Sequence, residues 1–383
     1  MAPSRIIIFT GKGGSGASTL AAATAAAIAA AGRQTLAFGL GPGLSACFGV
    51  PALAEPAAVA PRLEAVEGHA GRNAADEFRD WLEGLLYWRG MDPALAEDLG
   101  ALPGLNHVGR LLELEKHTQA DRSEVVVVDG TTLGQFLDLP VALDAAARWL
   151  ERLFSPRQQN VLEPFLRVFA GDYASTGDTV FDRGRDLLGR LARLRDVLRD
   201  PATSSVRLVL TPDRAAAAEG QQAIAALSLF SFPVDALVVN HVLPPEVTDP
   251  FFAAARQEQA EVLAEIEALA PRPVLRCGLR PSAPRGAQAL TALASEVYGD
   301  LDPAGVLHTG RAHSLVREDG RYVLNVVVPF AQREALSLEQ VDEGIAVHLN
   351  GRRCVMPLPD DGYRYEAASW SFDGEVLRVV LRD

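Results

Sequence analysis

The segment IFTGKGGSGAS, residues Ile8–Ser18, joins a short apolar run to a stretch rich in alanine. Its glycines follow the phosphate-binding pattern G-x-x-x-x-G-K-[ST], with both glycines and Ser18 in register. Ala17 stands at the lysine position of that pattern, while Lys12 directly follows the first glycine. A phosphate-binding loop requires an apolar strand, a glycine loop and a helix in this order. The segment therefore predicts an α/β fold around a variant phosphate-binding loop.

Five further apolar runs are spaced along the chain, mostly separated by helical sequence. Short apolar runs that alternate with helices are typical of buried parallel strands. Because the alternation extends over roughly 300 residues, it predicts a doubly wound, mainly parallel sheet. After Ile6–Phe9, the predicted strands are Gln34–Leu40, Glu124–Gly130, Ser205–Pro212, Val234–His241 and Arg272–Gly278.

Two stretches interrupt this alternation, residues 62–119 and 141–200, and both are predicted to be helical insertions. One helical face of the second insertion is strongly apolar. That face either packs in the core or forms an apolar groove with the other insertion, and the sequence leaves both readings open. The candidate groove residues are Trp149, Leu150, Leu153 and Phe154.

The last part of the chain has a different pattern. Residues 311–383 alternate apolar and polar side chains, with turns between the runs and no long helix, which predicts an antiparallel β-sandwich. We therefore expect two domains, a nucleotide-binding domain over residues 1–304 and a sandwich over 311–383.

Composition narrows the classes of function. The chain has 383 residues and a formal net charge of −13, so general nucleic-acid binding is not expected. The three cysteines, Cys47, Cys277 and Cys354, lie far apart and form no C-x-x-C pair. This usage suits a reducing compartment and predicts a cytoplasmic protein without a cysteine zinc site. The longest apolar stretch, Leu20–Gly32, is too short for a membrane helix.

The loop carries the chemistry that the sequence predicts. Backbone N–H groups from Gly13 to Thr19 would surround phosphate oxygens at a helix N-terminus. Ser18 is placed to hold Mg²⁺, and Asp129, at the end of an apolar strand, is the expected acidic partner. The candidate nucleotide-binding residues in the loop are Gly11, Lys12, Gly13, Gly14, Ser15, Gly16, Ser18 and Thr19.

The stretch GKGGSGAST resembles the deviant loop GKGGxGKST of the family that includes the arsenite-pump ATPase (ArsA), the tail-anchored-protein targeting ATPase and the MinD/ParA proteins. The resemblance implies ATP or ADP with Mg²⁺ as cofactors. It also implies a homodimer in which Lys12 acts catalytically on the partner's nucleotide. The stretch VVNHVLP resembles the motif of the ArsA branch whose asparagine, here Asn240, contacts adenine. The tail resembles the small heat-shock (α-crystallin-like) domain of some bacterial and plastid members.

Two departures from that family concern hydrolysis. Ala17 replaces the second lysine of the loop. Family members also carry a T-D-P-A-H type segment whose aspartate positions the attacking water, but the equivalent stretch, Phe38–Gly49, has Gly41 or a neighbour at that position. Because no carboxylate occurs between Gln34 and Val50, a water-activating group is missing from this stretch.

Three functions remain open from the sequence. The first is a nucleotide-gated protein that binds hydrophobic or tail-anchored clients, with hydrolysis weak or lost. The second is a working ATPase for membrane-protein targeting or anion (arsenite) transport. The third is a pseudo-ATPase scaffold without nucleotide. The first reading follows from a preserved binding loop beside eroded catalytic positions, and it allows a peripheral membrane contact.

Overall fold

The computed structural model describes residues 4–68, 77–84, 105–119, 123–154, 174–269, 271–310, 313–318, 321–341, 344–358 and 366–382. The amino-terminal domain is built on one sheet, whose strands are β1 (Arg5–Gly11), β2 (Thr35–Gly39), β3 (Ala57–Ala60), β4 (Leu63–Glu67), β5 (Val125–Thr132), β6 (Ser204–Leu210), β7 (Val234–Val242) and β8 (Val274–Gly278). Their order is β3-β4-β2-β5-β1-β6-β7-β8, and every neighbouring pair is parallel except β3 with β4. The six strands predicted from apolar runs are confirmed.

Helices cover both faces of this sheet. They include α1 (Ala17–Ala30), α2 (Leu44–Phe48), α3 (Leu105–Gln119), α4 (Leu133–Phe136), α5 (Leu139–Phe154), α6 (Ala174–Arg199), α7 (Arg214–Leu229), α8 (Ala253–Leu269) and α9 (Ala287–Tyr298). Successive residues of a strand point to opposite faces. Accordingly, Ile6 and Ile8 pack in one hydrophobic cluster with α3, α6 and α7, and Ile7 and Phe9 pack in another with α1 and α9. The predicted doubly wound arrangement is confirmed.

The prediction that residues 62–119 form a helical insertion is wrong for the start of that segment. Its start is the strand β4, which pairs in parallel with β2, opposite residues Thr35–Gly39. Four of the five β4 residues are buried. The sequence LEAVE is too short to stand out from a stretch rich in leucine and glutamate, so pairing with β2 decides its conformation. Helix α3 lies later in this insertion, and α5 and α6 account for the described part of the second.

The tail forms two antiparallel sheets, as predicted. Its strands are β9 (Ser314–Glu318), β10 (Arg321–Val327), β11 (Leu336–Val341), β12 (Gly344–Leu349), β13 (Arg352–Pro357), β14 (Glu366–Phe372) and β15 (Val376–Arg382). One sheet has the order β14-β15-β10-β9 and the other β11-β12-β13. Val326, Val347 and Val379 are fully buried in one shared cluster, so both sheets contribute to the tail's core.

A buried arginine fixes the segment between the two domains. Arg207 of β6 is fully buried and forms an ion pair with Asp235 at 3.3 Å. Its guanidinium donates to the hydroxyl of Tyr298 at 2.9 Å and to the carbonyl oxygens of Pro303 at 2.7 Å and Gly305 at 3.0 Å. These bonds hold the chain that leaves α9 against the amino ends of β6 and β7.

Direct hydrogen bonds also join the tail to α7. The Ser228 hydroxyl donates to the carbonyl oxygen of Val327 at 2.9 Å, and the Val327 N–H donates to His313 Nδ1 at 2.9 Å. His313 Nε2 lies 3.1 Å from the carbonyl oxygen of Leu229. The tail is therefore docked on the amino-terminal domain. Within the described ranges, no helix combines the length and the apolar character that a membrane span needs.

Candidate functional site

The glycine loop connects β1 to α1 at the carboxyl edge of the sheet, and the close packing there requires glycine. A Cβ on Gly11 would lie 2.4 Å from the carbonyl oxygen of Val209 and 2.5 Å from Ser15 Oγ. Gly16 has φ +88°, and a Cβ there would lie 2.3 Å from Asn240 Nδ2. Both positions therefore exclude any side chain, so the spacing of these glycines reflects steric need.

The loop presents unpaired donors where a phosphate would bind. Gly16 caps α1 without a side-chain hydrogen bond, and the first N–H groups of a helix have no partner within it. Ser15 Oγ is buried and has no hydrogen-bond partner among the described residues. A buried hydroxyl without a partner is uncommon and calls for an explanation. A phosphate oxygen would supply that partner, so the cradle fits a bound phosphate.

The two predicted magnesium residues lie together beside the loop. The Ser18 hydroxyl hydrogen-bonds the Asp129 carboxylate, which is only 3 % exposed. Burial raises the pKa of Asp129 to about 6, although hydrogen bonds from Ser18 and from the Thr131 N–H act in the opposite direction. A hydroxyl and a carboxylate with the phosphates form the kind of oxygen-donor set that Mg²⁺ uses in nucleotide sites. The pair therefore fits Mg²⁺ chemically.

A carboxylate that the sequence analysis missed lies next to this pair. Glu67, the last residue of β4, is 1 % exposed. Its Oε1 accepts hydrogen bonds from the N–H groups of Gly43 and Ser45, both at 2.8 Å, and from the Ser45 hydroxyl at 3.0 Å. Burial acts to raise the pKa of Glu67, but these hydrogen bonds outweigh it and hold the pKa below its usual value.

Glu67 supplies a carboxylate to the loop after β2. The stretch around Gly41 has no carboxylate of its own, yet β4 brings one to it from a distant part of the sequence. The sequence signal is an acidic residue at the end of a short apolar run, but recognising it requires the strand β4, which lies in a segment whose sequence predicts helix. Oε1 of Glu67 accepts hydrogen bonds that hold the backbone of residues 43–45 in place, so this oxygen has a structural role.

Lys12 makes a contact within its own chain. Its Nζ lies 3.0 Å from Glu219 Oε1 of α7, and both side chains are about half exposed. An exposed ion pair of this kind contributes roughly 0–1 kcal/mol. Exchange of Glu219 for another anion would therefore cost little.

Asn240 supports the loop from β7. Its Nδ2 donates to the carbonyl oxygen of Ser15 at 2.8 Å, and its Oδ1 accepts from the N–H of His241 at 2.9 Å. The side chain is 7 % exposed. In this structure it therefore holds the loop, and the adenine contact stays a prediction.

The tail reaches the neighbourhood of the loop. A cleft of about 440 Å³ lies between Lys12 and Gly13 on one side and the β12–β13 turn at Asn350 on the other. Arg352 of the tail also lines it. By contrast, the side chains of Trp149, Leu150, Leu153 and Phe154 lie outside the part of the chain that the structure describes.

A glycine loop between the first strand and helix, with an acidic residue at the end of the adjacent strand β5, defines the P-loop class of α/β proteins. Comparison with known sequences identifies the family within that class. Residues 4–299 match the anion-transporting ATPase (ArsA) family, and residues 319–381 match the HSP20-like domain found in ArsA. The chain belongs to the anion-transporting ATPase family.

Individual relatives agree with this assignment. The chain is 27 % identical to a putative arsenical pump-driving ATPase of Aquifex aeolicus over 376 residues, covering 93 % of this chain and 94 % of that protein. An uncharacterized protein of Streptomyces coelicolor is 32 % identical over 367 residues, with 93 % and 91 % covered. The ATPase GET3B of Arabidopsis thaliana is 25 % identical over 210 residues, with 50 % and 49 % covered.

Proposed function

We propose that this chain binds ATP or ADP with Mg²⁺ at the glycine loop and hydrolyses ATP slowly. The observation that supports this most is the buried hydroxyl of Ser15, which has no hydrogen-bond partner in the described part of the chain and lies in a loop with no room for side chains at Gly11 and Gly16. Backbone amides and Ser15 would hold the phosphates. Ser18 and Asp129 would hold the metal ion, which in such sites neutralises charge on the transferring phosphoryl group.

We expect slow ATP turnover because two groups that would assist hydrolysis are missing at or beside the glycine loop. Position 17 offers a methyl group where the pattern has a lysine. A lysine about 4 Å from a phosphate would supply up to ~4 kcal/mol of attraction at an effective dielectric near 20, before its desolvation is subtracted. Its loss weakens the stabilisation of charge in the transition state more than ground-state binding. Glu67, although close, already accepts three hydrogen bonds through Oε1.

The proposed switch is a homodimer in which two loops face each other. Lys12 would leave Glu219 and pair with the partner's nucleotide, an exchange that the weakness of the exposed ion pair favours. Nucleotide binding would then be coupled to assembly, because each phosphate group would bind a lysine of the other subunit.

The dimer would serve to hold a hydrophobic or tail-anchored client polypeptide. This part of the proposal rests on the family and on the apolar face predicted for the second insertion. We propose a cytoplasmic location, which the three free cysteines support, and a peripheral membrane contact. An active targeting or anion-transport ATPase and a scaffold without nucleotide are the alternatives.

Equilibrium binding of labelled ATP in the presence of Mg²⁺ tests the nucleotide site. Gly16→Ala places a methyl group against Asn240 and should weaken binding by more than about tenfold, which corresponds to 1.4 kcal/mol. Gly189→Ala is the matched control, because its Cβ would meet only the flexible end of Arg193 at 3.5 Å. Saturable binding by the control and its loss in Gly16→Ala support the proposal. No measurable binding by the unaltered protein would favour the scaffold.

A further inference from the structure

A second cleft lies between the two domains, far from the glycine loop. It has a volume of about 650 Å³, within the range of small-molecule sites. Pro233 and Val234, at the start of β7, form part of its wall. Because the glycine loop follows the carboxyl end of the parallel strand β1, this interdomain cleft occupies the opposite edge of the sheet.

Both domains contribute apolar walls to the interdomain cleft. Ile224 and Phe232 come from the amino-terminal domain, and Val327 and Phe330 come from the tail. Ile224, Phe232 and Val327 are themselves largely buried. The hydrogen bond from Ser228 to the Val327 carbonyl oxygen, at 2.9 Å, holds the two walls together. The cleft is therefore formed by side chains that the docking of the tail on the amino-terminal domain holds in place.

Two arginines that line the cleft have buried donors without partners. Nε and Nη1 of Arg272 have no hydrogen-bond partner among the described residues, and the same holds for Nε of Arg199. Arg199 is otherwise bound to Asp144, at 2.8 and 2.9 Å. A guanidinium carries five donors and accepts none, and leaving a buried donor unpaired is costly. Arg272 thus brings two buried donors to this cleft that lack a partner among the described residues.

Two ionisable residues, Glu375 and His308, lie near Arg272 in the cleft. Burial lowers the pKa of Arg272, and the nearby carboxylate of Glu375 only partly opposes this effect. Burial, followed by the charge of Arg272, also lowers the pKa of His308, so that residue is neutral and adds no positive charge at neutral pH. Glu375 lines the cleft, yet Nε and Nη1 of Arg272 have no hydrogen-bond partner among the described residues, and these two donors are the feature that favours an added anion.

We propose that the interdomain cleft binds an anionic amphiphile, an apolar chain ending in a single anionic group. The apolar walls would bury the chain, and the unpaired donors of Arg272 would bind the anionic end. The chemistry is shared by carboxylates, such as fatty acids, and by phosphate monoesters of long alcohols. This site does not depend on nucleotide binding at the glycine loop.

Calorimetric titration of the full chain with decanoate, decyl phosphate and decanol tests this proposal. Saturable binding of at least one of the two anions is expected, and decanol should bind at least about tenfold more weakly because it lacks the charge. The preferred anion identifies the source of the ligand. Equal binding of decanol and the anions, or no saturable binding of either anion, would overturn the proposal.

Two variants locate the site. Arg272→Gln should weaken anion binding by at least about tenfold. Arg276→Gln is the matched control, because Arg276 pairs with Glu267 at the surface, and its affinity should equal that of the unaltered chain. Equal anion affinities in the unaltered chain and both variants would contradict the assignment of Arg272 to the binding site.

A fluorescent reporter in the cleft tests the same proposal if Arg272→Gln does not fold. Thr309 is exposed and lines the cleft, so Thr309→Trp places a fluorophore there with little structural cost. A saturable change in its emission with the anion that binds in the calorimeter, and a much smaller change with decanol at the same concentration, supports the proposal. Binding in the calorimeter without any change in this emission would place the ligand elsewhere, for example on a polypeptide-binding surface, and would overturn it.

Discussion

Asn240 Nδ2 donates a hydrogen bond of 2.8 Å to the carbonyl oxygen of Ser15, joining residues 225 positions apart. The bond ties the end of β7 to the middle of the glycine loop and is buried. The loop's shape therefore depends on β7 as well as on its own glycines.

Asn240→Ala should weaken ATP binding by about tenfold and reduce the free energy of unfolding by about 1–2 kcal/mol, because the Ser15 carbonyl loses a buried donor. Labelled-ATP binding and urea unfolding measure the two effects. Asn325→Ala is the control, since the Asn325 side chain makes an exposed hydrogen bond to Ser314 in the tail. Unchanged ATP affinity in Asn240→Ala would mean that the loop holds its shape alone.

Glu67→Ala should reduce the free energy of unfolding by about 2–3 kcal/mol, because three hydrogen bonds to a charged acceptor are lost. The folded-state pKa of Glu67 is lowered, so its contribution is fully present above the unfolded pKa. That contribution is lost as pH falls through the folded-state pKa. Urea unfolding across the acid range should therefore show the difference between the two proteins shrinking at low pH. A difference that grows as pH falls would contradict this assignment.

Asp129 has the opposite linkage. Its pKa is raised from 3.8 to about 6 by burial, so the folded chain binds an extra proton between these values and loses stability as pH rises through them. The loss for this group is on the order of 3 kcal/mol. Asp129→Asn should remove that decline in urea unfolding measured between acid and neutral pH. Magnesium-dependent ATP binding should weaken below this pKa, where the carboxyl is protonated. A variant with the same pH profile as the unaltered chain would contradict the raised pKa.

Ala17→Lys restores the residue that the loop pattern requires. We expect ATP to bind at least about tenfold more tightly and turnover to rise by a larger factor, because the new charge acts most on the transition state. Ala30→Lys is the matched control, since residue 30 is exposed at the far end of the same helix. Phosphate release at saturating ATP compares the three proteins. Tighter binding with unchanged turnover would show that the missing group of the loop after β2 limits the reaction.

Glu219→Gln releases Lys12 from its exposed ion pair. We expect nucleotide to drive dimer formation more strongly in this variant, and Lys12→Ala to abolish that dependence. Sedimentation velocity with and without Mg²⁺ and ATP measures it, with Lys116→Ala as the control because Lys116 is exposed on α3. Both pairing variants should keep the monomer's stability within about 1 kcal/mol. A monomer under all conditions would contradict the dimer switch.

The elements that the sequence predicted well are those with strong local signals. The valine and isoleucine runs of β1 and β5 can only be buried strands, and the glycine loop marks the turn into α1. The closeness of Ser18 and Asp129 was predictable because the carboxyl ends of adjacent parallel strands meet at one edge, while their magnesium role stays a prediction. The alternation of the tail likewise predicted antiparallel pairing.

What the sequence could not predict depends on contacts between distant residues. β4 is five residues long and gains its conformation from pairing with β2. Glu67 reaches the Gly43 N–H only through that pairing, so the sequence did not predict that Glu67 lies in the site. The Lys12–Glu219 pair joins residues 207 positions apart on separate elements. The two Arg272 donors that lack a partner among the described residues lie at an interface between two domains, and no local sequence pattern reveals such an interface.

The most direct test of the central claim measures ATP binding and product formation on the same sample. Labelled ATP is added with Mg²⁺ to excess protein, and the bound nucleotide is separated and identified over time. The account predicts a bound fraction that remains mainly ATP long after binding reaches equilibrium, and that is lost in Gly16→Ala. Rapid conversion to ADP that Lys12→Ala abolishes would contradict slow hydrolysis and would identify a working ATPase.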